Sequence, residues 1–208
     1  MKKIVTLLFL FSLYFNSYSQ ASVPPCSTGT TDAASSGYDI GISNFQTSLG
    51  VSNISNSSAF VGGAPNDYTD QYVEVYSGAD TDINFSITIG STYYNKIQIH
   101  LDSDGDGQFS QSEQVFELSQ TFGTQTGTIT IPSVLAEADY NLRVLTTYSS
   151  SYIDPCAPPT GFPNSLGEIE DYTLRVSAEP SCTPPMSLSL SSISCDKASP
   201  AEFASSKL

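Results

Sequence analysis

The chain of 208 residues has no tryptophan, one histidine, two methionines and only 7 lysines and arginines. Each shortage excludes something. A zinc peptidase built on His-Glu-x-x-His needs more imidazoles than His100 can supply. No Cys-x-x-Cys pair occurs, so the closely spaced thiolates of a structural zinc site are missing. No Gly-x-Ser-x-Gly elbow marks a serine hydrolase. The few basic residues stand against 21 aspartates and glutamates, and the formal charge of −14 repels nucleic acid and anionic membrane surfaces. Beyond the N-terminus no apolar run approaches the ~20 residues that span a bilayer, so no membrane insertion is expected. No window repeats with the period of an amphipathic helix.

What is present begins with an export signal. Lys2 and Lys3 precede an apolar stretch from Ile4 to Phe15, and Ser17 and Ser19 place small residues before a cut at Gln20. Residues 1–19 are therefore read as a cleaved signal peptide, and the protein as secreted or displayed at the cell surface. Loss of Lys2 and Lys3 leaves 5 basic against 21 acidic residues, a balance of −16. Outside the cytoplasm the four cysteines are expected to be oxidised, with three pairings open. A proline-rich stretch separates Cys26 and Cys156 from Cys182 and Cys195, which favours bridges within each set. The first bridge would close a very long loop, worth about 4 to 5 kcal/mol in the chain-entropy account.

From Tyr38 onward the apolar pattern alternates. The segments 72–76, 83–89, 97–101, 128–131, 140–144 and 172–176 are rich in β-branched and aromatic residues, with Gly, Pro, Asn and Ser between them. Such a chain predicts an all-β fold, an antiparallel β-sandwich with jelly-roll-like connections. In this pattern Ile97, Ile99 and Leu101 face the core, while Gln98 and His100 face solvent. The expected organisation is a tether over 20–25, the sandwich over 26–177, a proline-rich linker over 178–185, and, over 186–208, the start of a second β module, cut short, or a disordered tail.

The densest chemistry lies in Asp102-Ser-Asp-Gly-Asp-Gly-Gln-Phe-Ser-Gln-Ser-Glu113. Three alternating carboxylates (Asp102, Asp104 and Asp106) precede Gly107, which permits a sharp turn. Gln108 can offer its backbone carbonyl, Ser110 a direct or water-mediated contact, and Glu113 a closing bidentate carboxylate. Oxygen ligands at this spacing select a hard cation, and calcium suits them better than magnesium, which keeps its own waters. The loop follows a segment with strand rather than helix periodicity. It therefore lacks the paired helices that turn calcium binding into a signal, and the ion is expected to be structural.

A second acidic cluster, Gly167-Glu-Ile-Glu-Asp-Tyr172, runs into the strand at 173–176. Together with Asp102, Asp104, Asp106, Gly107, Phe109 and Glu113 it resembles the GEVED domain, a module of secreted bacterial proteins. Cys26 and Cys156 match family cysteines as well, and the likeness covers roughly residues 26–177. Asp104 stands where the family usually has Asn, and Ile169 where it has Val. The resemblance implies an accessory module of longer exported chains, which also carry peptidase domains or fibronectin type III repeats. The segment from Ser181 to Leu190 looks like the first strand of such a repeat.

If residues 168–171 are extended, Glu168 and Glu170 project from one face and Asp171 from the other. Two readings stand for these carboxylates. They complete the metal site or hold a second ion beside it, or they satisfy backbone amides at a strand start. The chain thus reads as a non-catalytic, calcium-binding accessory or adhesion domain, with calcium as its one cofactor. Its rivals are a calcium-dependent carbohydrate-binding module, using Tyr93, Tyr94, Tyr148 and Tyr152 to stack on an extracellular glycan, and the N-terminal piece of a secreted peptidase. An extracellular protein is the other partner to be considered.

Overall fold

The computed structural model describes residues 23–26, 39–60, 65–148, 151–157 and 166–180. Every segment predicted from period-two alternation lies in a strand. In chain order the strands are β1 (Ile42–Ser48), β2 (Ser55–Asn56), β3 (Asn66–Tyr76), β4 (Thr81–Ile89), β5 (Asn95–Leu101), β6 (Gln114–Thr121), β7 (Thr124–Ile131), β8 (Ala138–Thr147) and β9 (Gly167–Ser177). They form a sandwich of two sheets, ordered β2-β1-β4-β7 and β3-β9-β8-β5-β6. One pairing departs from the antiparallel expectation: β3 runs parallel to β9, with Tyr72 opposite Thr173 and Val75 opposite Val176.

The core follows from the alternation. In β4 the residues Ile83, Phe85, Ile87 and Ile89 are buried while Asp82 and Asn84 are exposed. Across the sandwich they meet Ile97, Ile99, Leu142, Val144, Tyr172 and Leu174 in one cluster. Each such aliphatic side chain contributes about 1.5–3 kcal/mol when fully withdrawn from water. Aromatic contacts join the layers, with Phe45 and Tyr172 centroids 5.1 Å apart and Phe116 edge-on to Phe85 at 4.7 Å. These pairs favour tilted and edge-to-face geometries because the ring faces are electron-rich and the edges electron-poor.

Strand β5 corrects one expectation. All seven of its residues are buried, including Gln98 and His100, which alternation places on the solvent side. They do point away from the core, but residues 151–157 cover that face. Ile153 packs with Leu145 and Ile169, and its N–H donates to Gln98 Oε1 at 3.2 Å. Lys96, on the same face, is buried with Nζ 2.9 Å from Glu117 Oε1. Alternation reports which way a side chain points, not what lies over it.

The chain divides into two compact units after Ser177. Of the second, only residues 178–180 are described. The signal peptide, the rest of the linker, the predicted module over 186–208, and Cys182 and Cys195 lie outside the described residues. Among the described residues no helix is long and apolar enough to cross a membrane.

Candidate metal centre

The acidic loop joins β5 to β6 through a single 3-10 turn, Gln111–Glu113. Its entry is fixed by β8, because the Asp102 N–H still donates to the Asn141 carbonyl at 3.0 Å. Asp102 is fully buried. Its Oδ2 accepts from Asn141 Nδ2 at 2.8 Å and from the Gly107 N–H at 3.1 Å. Its Oδ1 is buried with no hydrogen-bond partner. Burial raises the Asp102 carboxyl above the ordinary range, opposed by the bonds from Asn141 and Gly107. An orphaned carboxylate oxygen in this position is costly unless something positive meets it.

The turn that follows gathers two more carboxylates. The Asp106 N–H donates to Asp104 Oδ1 at 3.2 Å, and the Gln108 N–H to Asp106 Oδ1 at 2.7 Å. Such side-chain-to-backbone bonds make Asp a turn former. Ligand oxygens of Asp102, Asp104 and Asp106 lie within 4.8 Å of one another, the one such group of three among the described residues. Oxygens no farther apart than this can reach one ion through calcium–oxygen bonds of ~2.4 Å. The oxygen-only donor set, with one donor buried and unpaired, fits a calcium ion. Gly107 is required here: its φ is +79°, and an added Cβ would lie 2.8 Å from the Pro24 carbonyl oxygen.

Glu113 is placed differently from the closing ligand that the spacing suggests. Its Oε1 accepts from the Ser103 N–H at 2.8 Å, and its Oε2 accepts from the Ser110 N–H at 2.9 Å and Ser110 Oγ at 3.0 Å. Here Glu113 ties the two arms of the loop together and completes a capping box at the 3-10 turn. Ser110 Oγ is shared with Ser112 at 2.8 Å, and Gln108 is exposed at the rim.

Phe109 is the loop's apolar anchor. It is buried against His100, with centroids 6.2 Å apart, and the Arg143 guanidinium carbon lies 4.6 Å from its ring centre. His100 also meets Tyr152, at 6.2 Å. Neither imidazole nitrogen makes a hydrogen bond. Burial lowers the ring to about 4, so it is neutral at neutral pH. The lone histidine is a sealed packing residue, not the solvated one that alternation predicted.

The second acidic motif divides between the two faces of β9, as its period requires. Asp171 points outward and is gripped by Arg143, with Nε 2.7 Å from Oδ1 and Nη2 2.8 Å from Oδ2. Glu168 and Glu170 point the other way, with Tyr172, into the sandwich. Glu168 Oε2 accepts from the Ile42 N–H at 2.7 Å. Glu170 Oε1 accepts from Ser58 Oγ at 2.9 Å, and its Oε2 from Tyr172 Oη at 2.7 Å. All these carboxylates have donors within the protein, and none joins the loop aspartates. Gly167 permits the approach, since an added Cβ would fall 2.1 Å from the Thr146 carbonyl oxygen.

Sequence reasoning passed over three contributors. Asn141 and Arg143 sit on β8 among ordinary alternating residues, and nothing in their spacing marks them. The third is the segment Val23–Cys26, which lies over the loop. The Cys26 N–H donates to the Gly107 carbonyl at 2.8 Å, and Asn141 Nδ2 donates to the Val23 carbonyl at 2.8 Å. Cys26 is bonded to Cys156 as predicted, across 130 residues. The four tyrosines considered for stacking each meet another ring. Tyr93 meets Tyr148, Tyr94 meets Phe122, and Tyr152 lies against His100.

No curated protein matches this chain. The family model described as GEVED domain matches residues 96–175, which takes in the acidic loop, Asn141, Arg143 and the Gly167–Tyr172 motif, so the family resemblance read from the two acidic motifs holds over that span.

Proposed function

We propose that this chain is a non-catalytic accessory module of an exported protein, and that a calcium ion held by Asp102, Asp104 and Asp106 stabilises it. The observation that carries the reading is the buried, unpartnered Oδ1 of Asp102 beside two further carboxylates. A hard cation would offset the repulsion among the three groups and the cost of burying the first. The loop leads from strand to strand and has no helix pair to swing, so binding would serve stability and not signalling. The Cys26–Cys156 bridge agrees with an oxidising compartment outside the cytoplasm. The sealed position of His100 supports a role without acid–base catalysis.

Thermal unfolding of the exported chain in calcium and in EDTA tests this directly. Calcium at a hundredfold excess over its Kd should add about 2.7 kcal/mol by mass action, a gain that Asp102→Ala and Asp106→Ala abolish. Identical melting in both buffers would overturn the reading.

A glycan partner is the second reading, favoured by the exposed rings of Tyr94 and Phe122 in contact at 5.6 Å. Retention on a glycan array that Tyr94→Ala removes would support it. An array blank for the unmodified chain would dispose of it.

A further inference from the structure

We infer that the segment Val23–Cys26 and Asn141 position the metal-binding aspartates, and that the Cys26–Cys156 bridge thereby sets the affinity of the loop for calcium. The inference rests on the calcium reading proposed above and adds a redox input to it.

The connection is continuous. Asn141 Nδ2 donates at once to Asp102 Oδ2 and to the Val23 carbonyl, both at 2.8 Å. One amide thus joins the first ligand to the overlying segment. Five residues further along the loop the Cys26 N–H holds the Gly107 carbonyl at 2.8 Å, while the Gly107 N–H returns to Asp102 Oδ2 at 3.1 Å. Val23 and Pro24 lie so close to Gly107 that a single added carbon would collide with both. The overlying segment therefore braces the loop at its first ligand and at its sharpest bend.

What keeps that segment in place is its far end. Cys26 is bonded covalently to Cys156, its carbonyl accepts from Arg143 Nη2 at 2.7 Å, and Arg143 Nη1 donates to the Pro155 carbonyl at 2.8 Å. Arg143 also stacks on Phe109, the loop's own anchor. A dithiol reductant would pass two electrons and two protons to the bridge, yielding two thiols and leaving itself as a disulfide. A short segment freed of its covalent tie frays readily. Asn141 would then lose the Val23 carbonyl, and Gly107 would lose the Cys26 N–H. The loop would have to be ordered at the expense of calcium binding. Linkage makes the effect reciprocal, so bound calcium should protect the bridge from reduction by the same factor.

Calcium titration calorimetry of the oxidised full chain and of Cys26→Ser/Cys156→Ser tests the inference, with Cys182→Ser/Cys195→Ser as control. The expected result is a Kd weakened by about tenfold in the first variant, within the usual range of coupled sites, and unchanged in the control. Equal affinities in all three proteins would overturn the inference and leave the calcium reading standing. Absence of binding to the oxidised chain would overturn both. Because the first variant could fail to fold, the rate at which dithiothreitol opens Cys26–Cys156 in the unmodified chain is measured as well. Slower opening in calcium than in EDTA supports the linkage, and equal rates refute it.

Discussion

Arg143 and Asp171 stand opposite each other on β8 and β9, and the guanidinium grips the carboxylate through two bonds of 2.7 and 2.8 Å with no solvent exposure of its own. The pair connects the second acidic motif to the acidic loop, because the same guanidinium lies over Phe109 and holds the Cys26 carbonyl. Removing one partner of a buried pair leaves the other charge uncompensated. Arg143→Ala should therefore cost roughly 3–5 kcal/mol in urea unfolding. The double variant Arg143→Met/Asp171→Leu should recover much of that loss. A single variant as stable as the parent would show that the pair is not sealed from water.

The placement of Glu113 separates two kinds of loop residue. Its oxygens brace Ser103 and Ser110, whereas Asp102 presents an unpaired oxygen. Glu113→Gln should weaken calcium binding less than Asp102→Asn. Without calcium it should lower stability by about 1 kcal/mol, through one mismatched hydrogen bond. Calorimetric titration and urea unfolding in EDTA read the two effects separately. A loss of affinity from Glu113→Gln as large as that from Asp102→Asn would mean that Glu113 turns inward to the ion.

His100 fills space between Phe109 and Tyr152 without making a hydrogen bond. Truncation to Ala should open a cavity and cost about 2 kcal/mol. Leu should cost less than 1 kcal/mol or even stabilise, since a buried polar group without partners is replaced by an apolar one of similar size. Chemical denaturation of both variants decides it. A solvated histidine would show no loss in either.

Glu170 carries the clearest pH signature away from the loop. Burial raises its carboxyl above 4.5, against the bonds from Tyr172 and Ser58. A carboxyl raised on folding favours the protonated native state, so its contribution is full below about pH 4.5 and is lost as pH rises through the folded value. Glu170→Gln, which cannot ionise, should gain stability relative to the parent between about pH 4 and pH 7. Unfolding free energies of the two proteins measured across that interval should diverge. Parallel curves would contradict the assignment.

Much of the architecture was legible because burial on one side of a sheet imposes a period of two. The segments 83–89 and 172–176 could hardly be read otherwise. β1 escaped notice because its register shifts between Ile42 and Asn44, which puts Ile42 and Phe45 out of step. The parallel partnership of β3 with β9 depends on contacts between distant parts of the chain, and no local pattern encodes it. In the site, the alternation of Asp102, Asp104 and Asp106 and the turn at Gly107 were readable from spacing. The braced state of Glu113 was not, because spacing says which carboxylate can reach an ion and not which donors compete for it. Similarly, the opposite facing of Glu168 and Asp171 followed from strand geometry. That the glutamates face the interior required knowing that Tyr172 belongs to the core.

The order of strands has a bearing on biogenesis. β9 is the last strand of the sandwich, yet it is inserted between β3 and β8. A nascent polypeptide that ends before Gly167 would expose two unsatisfied strand edges at the middle of a layer, a template for misassembly. Completion must await the C-terminal acidic motif, so this layer closes only after nearly the whole domain has left the ribosome. If the chain is exported, as proposed, such late closure would keep it threadable through a translocation channel.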